Sequence, residues 1–115
     1  MLIGIRDPLG IRPLILGKLN KSYILTSETC ALDIIGAKYV RDIENGEIVI
    51  INNNKLESIK PFPSQRKRPD IFEYIYFARP DSLLEGKCAY DYRKNLGTQL
   101  AEECNEKPDV IVPVP

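Results

Sequence analysis

Few side chains in this chain can do covalent or acid–base chemistry, and their types narrow what that chemistry could be. Cys30, Cys88 and Cys104 are the soft nucleophiles, and the 115 residues contain no histidine. Without imidazole, Ser–His and Cys–His catalysis and histidine-built zinc sites are excluded within this chain. The cysteines are odd in number, form no CxxC pair, and sit in periodic apolar segments. Structural thiols in a reducing cytoplasm are therefore expected, rather than disulfides or metal ligands. Arg6, Asp7 and Arg12 bracket the turn Pro8-Leu9-Gly10, where such charges either brace the loop as pairs or face a ligand. Arg66-Lys67-Arg68 could hold phosphate, but it stands among Pro61, Pro63 and Pro69 and reads better as a solvated linker.

The densest stretch is Glu73-Tyr74-Ile75-Tyr76-Phe77-Ala78-Arg79-Pro80-Asp81-Ser82. Five of the nine aromatic residues lie between Phe62 and Phe77. An apolar run of this density is expected to be buried. It ends in Arg-Pro-Asp-Ser, where Pro80 removes a donor and Asp81 and Ser82 favour a turn. The run reads as a seam between two unlike halves.

The elements on either side must position it. Residues 1–5 suit a buried strand, and 13–18 and 22–26 suit two antiparallel strands joined at Leu19-Asn20-Lys21. Residues 29–35 suit a short helix capped by Ser27 or Thr29 and closed by Gly36. Asn45-Gly46 predicts a hairpin between 39–43 and 47–52, and Asn53-Asn54 a second turn into 55–59. After a loop at 82–86, Cys88, Tyr92, Leu96, Leu100 and Cys104 recur every four residues, predicting a helix of four to five turns with one apolar stripe. Residues 109–115 (DVIVPVP) suit a strand buried on both faces.

Composition sets the outer bounds. The chain reads as one soluble globular unit or two incomplete ones, with no run long enough to span a bilayer and no secretory signal pattern. Sixteen basic residues balance sixteen acidic ones, giving a formal charge of zero and no general case for a nucleic-acid or acidic-membrane partner.

Three segments carry a resemblance: RDPLGIRPL at 6–14, SETCALDIIGAKYVRDIENG at 27–46 and EYIYFARPDS at 73–82, followed by RKNLG at 93–97. The first pattern is similar to class II glutamine amidotransferases in general. With EYIYFARPDS it resembles the amidophosphoribosyltransferase family across essentially the whole chain. The implied fold class is α+β. Residues 1–66 would be the C-terminal part of an Ntn-hydrolase (glutaminase) β-rich domain. Residues 67–115 would be a linker and the first helix and strand of a type I phosphoribosyltransferase α/β domain.

What the family does follows as implication. Its members use an N-terminal cysteine to release ammonia from glutamine, and the ammonia displaces pyrophosphate from phosphoribosyl pyrophosphate to give 5-phosphoribosylamine. This opens purine biosynthesis. Magnesium neutralises the leaving pyrophosphate, and the intact proteins are homo-oligomers. This chain begins Met1-Leu2, and its first cysteine, Cys30, lies inside a predicted helix, so no catalytic residue is expected in it and it is expected to be inactive alone. Some members hold an iron–sulfur cluster with a cysteine three residues before the EYIYF glutamate. Here that position is Asp70, which argues against a cluster. Feedback purine nucleotides bind the family at the segment matching EYIYFARPDS, which by position makes Tyr76, Ala78 and Arg79 the candidates, Ala78 through its backbone. The alternatives are a non-catalytic nucleotide-binding or interaction module, or one subunit of a split enzyme.

Overall fold

Strand β2 (Ile15–Leu19) is the centre of the first half because its side chains are buried on both faces. The computed structural model describes residues 1–112. Around β2, strands β3 (Ser22–Thr26) and β4 (Lys38–Asp42) pair antiparallel to form the sheet β3-β2-β4. Alternation along β2 sends Leu16 to one side and Ile15 and Gly17 to the other. On the Ile15 side lies helix α1 (Thr29–Ile34), packed so closely that a Cβ on Gly17 would come 2.4 Å from Leu32 Cδ2. Ile15, Leu32 and Ala37 form that layer's core.

On the Leu16 side lies a second antiparallel sheet, β1-β5-β6, made of β1 (Leu2–Ile5), β5 (Ile48–Asn52) and β6 (Lys55–Ile59). Leu16, Ile43, Val49 and Ile51 fill the space between the sheets. The first half is thus a three-layer stack of helix, sheet and sheet.

The expected hairpin around Asn45-Gly46 is not formed. The turn exists, with Gly46 at φ +72°, but β4 pairs with β2 while β5 pairs with β1 and β6. A turn signal fixes only that the chain reverses, and here the Gly46 amide donates to the Arg6 and Asp7 carbonyls instead of closing a ladder. The next residue, Glu47, is 1% exposed and holds the crossing together. Its carboxylate accepts from both terminal nitrogens of the Arg41 guanidinium (2.8 and 2.6 Å), from Ser58 Oγ (2.6 Å) and from the Glu44 amide (2.7 Å). One carboxylate therefore joins the two sheets.

Further corrections concern burial. Strand β1 forms, but Leu2, Ile3 and Ile5 are exposed. The dense aromatic run is a five-residue π-helical turn, Glu73–Phe77, in which only Glu73 is buried. The wide π geometry spreads Ile75, Tyr76 and Phe77 around the axis, and among the described residues no second layer covers them. The loop expected at 82–86 contains a minimal hairpin, β7 (Leu83–Leu84) with β8 (Lys87–Cys88). Helix α2 (Ala89–Glu103) forms as expected, yet Ala89 is its one buried residue, and Leu96 and Leu100 face solvent. Residues 109–112 are exposed and irregular rather than a buried strand, since no neighbouring strand among the described residues offers them hydrogen bonds. The remainder of that expected strand, 113–115, lies outside the described residues. The radius of gyration of 17.8 Å, against about 13 Å for a compact chain of this length, reflects the length that α2 and its flanks add.

The cysteines also differ from expectation. Cys30 is buried, Cys88 is half-buried and Cys104 is exposed. Timed iodoacetamide labelling of the native chain, read by mass spectrometry, is expected to modify Cys104 first and Cys30 only on unfolding; equal rates at the two would contradict this placement.

Candidate functional site

The seam begins where the linker returns to the first half. The Arg68 amide donates to the Leu9 carbonyl (2.8 Å) and the Asp70 amide to the Ile11 carbonyl (3.0 Å), so the proline-rich stretch ends tied down. The Asp70 carboxylate accepts the Phe72 amide at 3.0 Å and opens the π-helical turn. The charges of the 6–14 turn do not pair with one another. Asp7 accepts the Leu9 and Ile11 amides, and Arg6, which is buried, donates to the Arg12 and Ile43 carbonyls and to Glu85.

Arg12 crosses to the seam. Its Nε lies 2.8 Å from Glu73 Oε1, near enough for an ion pair but too bent for a hydrogen bond, and its guanidinium stacks 4.9 Å from the centre of the Phe77 ring. Glu73 is 4% exposed, and burial raises its carboxyl above the ordinary value despite the nearby Arg12 charge.

Arg93, on α2, was not singled out from the sequence, and it closes the other end of the turn. Its Nε donates to the Tyr74 carbonyl (2.7 Å) and a terminal nitrogen to the Ala78 carbonyl (2.7 Å). These carbonyls at the end of the π-helical turn would otherwise lack partners. Tyr74 packs on Tyr92 with ring centres 4.8 Å apart, and Ala78, Leu84 and Ala89 make a small core beneath.

The three candidate residues have different surroundings. Tyr76 is 74% exposed, edge-on to Phe77. Arg79 and Asp81 are each 54% exposed and paired at 2.9 Å. Such a pair is worth about 0–1 kcal/mol, so an incoming phosphate could replace Asp81 at little cost. Ala78 is 2% exposed, with its amide on the Glu73 carbonyl and its carbonyl on Arg93, so its backbone is already engaged inside the chain.

The Arg79 turn is fixed from a distance. Ser82 is fully buried, and its amide donates to the Arg79 carbonyl at 2.9 Å. Glu28 Oε2 accepts the Arg79 amide (2.8 Å) and the Ser82 hydroxyl (2.8 Å), and Thr29 Oγ1 accepts the Leu83 amide (2.8 Å). The capping expected of Ser27 or Thr29 is therefore absent: Glu28 stands at the N-cap without a capping bond, and its side chain points to the seam instead. Burial alone would raise the Glu28 carboxyl. The bonds from Arg79, Ser82 and the Cys30 thiol, with the Arg79 charge, outweigh it and hold the group below its ordinary value. Partners more than fifty residues away leave no local signal in the sequence.

No protein-family model matches the chain. An amidophosphoribosyltransferase of Rhizobium etli is 51% identical over 119 residues, covering 99% of this chain and 24% of that protein. A solved structure described as the allosteric regulatory enzyme of purine biosynthesis superposes with a TM-score of 0.87 at 42% identity, over 91% of this chain and 23% of its own. Over nearly its whole length, this chain is similar to the corresponding quarter of amidophosphoribosyltransferases. Its fold is accordingly the α+β arrangement of these proteins, of which it spans about a quarter. A glutamine phosphoribosylpyrophosphate amidotransferase from B. subtilis, solved as its complex with ADP and GMP, has a TM-score of 0.86 over the same shares at 42% identity. No helix among the described residues is long and apolar enough to cross a membrane.

Proposed function

We propose that this chain joins the end of a glutaminase-type domain (residues 1–66) to the opening of a phosphoribosyltransferase domain (residues 67–115) within an amidophosphoribosyltransferase. The complete enzyme would make 5-phosphoribosylamine from glutamine and phosphoribosyl pyrophosphate, in the cytoplasm. The observation that carries this is identity of 51% across 99% of the chain, together with a matching fold. The exposed Ile75, Phe77, Leu96 and Leu100 support it, as apolar surface that the rest of the protein and neighbouring subunits of a homo-oligomer would cover. In the complete enzyme magnesium would neutralise the leaving pyrophosphate.

Purine nucleotides would bind at the seam, with the Arg79 guanidinium gripping phosphate in place of Asp81 and the Tyr76 ring lying against sugar or base. The B. subtilis relative, complexed with ADP and GMP, supports nucleotides as the ligand class. Ala78 supports the site only by packing beneath it.

The test is an exchange. A full-length relative whose matching quarter is replaced by this chain is expected to keep glutamine-dependent pyrophosphate release; a folded chimera without it overturns the reading. The 115 residues alone are expected to release no glutamate, because Cys30 is a buried helical thiol with no terminal amine to activate it. Protein-dependent glutamate above a boiled control would contradict that.

A further inference from the structure

We infer that Glu28 is a positioning residue for nucleotide binding at the seam: through one carboxylate oxygen it sets the backbone of Arg79 and so makes feedback depend on a contact from the glutaminase-type half. The inference rests on the reading of Arg79 as a phosphate-binding residue. A guanidinium grips phosphate well only if its backbone is already placed, since ordering a mobile loop on binding costs affinity. Three side-chain bonds place the turn that carries Arg79, two to Glu28 and one to Thr29. They come from the two residues at the start of α1, a helix packed on the central strand β2. The turn is thereby referred to the core of the first half and not to its own flanks alone.

The bond to the Arg79 amide is to backbone, so among substitutions at position 79 only proline removes it, and it acts whatever other side chain stands there. Because binding and positioning are linked, a nucleotide held at Arg79 would strengthen the Glu28 contact by the same factor that the contact strengthens nucleotide binding. A signal read at the seam would then reach the glutaminase-type half through α1.

The geometry separates the variants. Glutamine keeps an oxygen at the same reach and can accept both hydrogen bonds, whereas aspartate is one methylene short of them. In a full-length relative with glutamate at the position matching Glu28, E28D is expected to raise the GMP concentration for half-inhibition about 10-fold, and E28Q less than about 3-fold. Ser82→Ala, which removes one donor to the same oxygen, should fall between them. Equilibrium GMP binding is measured alongside, at a temperature where every variant is folded by circular dichroism. E28D combined with R79A should shift inhibition no further than R79A alone, because no guanidinium is left to position. An E28D shift below about 2-fold with R79A still strongly shifted overturns the role of Glu28 and leaves the site intact. Additive shifts in the double variant overturn it as well, as the mark of a general loss of stability. No shift with R79A removes the site and this inference together.

Discussion

Replacing Glu47 with glutamine is expected to lower the unfolding free energy of the chain by about 3 kcal/mol at pH 7. Glu47 is almost fully buried yet charged, and the hydrogen bonds from Arg41 are the chief reason. They outweigh the cost of burial and, with Ser58 and the Glu44 amide, bring its carboxyl down to about 2 from 4.5. At roughly 1.4 kcal/mol per unit, that depression corresponds to about 3 kcal/mol, partly reduced by the half-exposed Arg41. The folded state binds this proton more weakly than the unfolded state. Its contribution is thus complete above the unfolded value near 4.5 and is lost as the pH falls toward 2. Urea denaturation of parent and Glu47→Gln should show a gap that is widest at pH 6–7 and closes between pH 5 and pH 2. A gap under about 1 kcal/mol at neutral pH, or one that does not change with pH, would contradict the account.

The same residue shows why the sequence was only partly legible. Strand positions, the Asn53-Asn54 turn, α1 and α2 are local outcomes of propensity and period, and they follow from neighbouring residues. Pairing is not local: Asn45-Gly46 turns the chain, but the buried carboxylate of the next residue and its partner Arg41 hold β4 and β5 in different sheets. Burial also failed as an inference from composition. The rings around Glu73 and the stripe on α2 carry the pattern of a core, but the pattern states what can be covered, and only the surrounding chain determines what is. At the candidate site, Arg79 and Tyr76 were legible through the resemblance of EYIYFARPDS. Glu28 and Arg93 were not, because each reaches carbonyls, amides or hydroxyls many positions away. Asp70, by contrast, has an ordinary local task as acceptor for the Phe72 amide.

The proposed binding of a nucleotide phosphate by Arg79 at the seam is decided by inhibition of a full-length relative carrying Arg79→Ala at the matching position. The guanidinium is half-exposed and, among the described residues, tied only to Asp81, a partner it can exchange for phosphate. A charge-assisted, two-pronged grip on phosphate should outweigh the exposed pair it replaces. Losing it is expected to raise the GMP concentration for half-inhibition by about 10- to 100-fold. Arg66→Ala, in the exposed linker, serves as the control for loss of general positive charge and should leave inhibition within about 2-fold of the parent. If GMP inhibits the Arg79→Ala protein as strongly as the parent, the nucleotide phosphate does not bind Arg79.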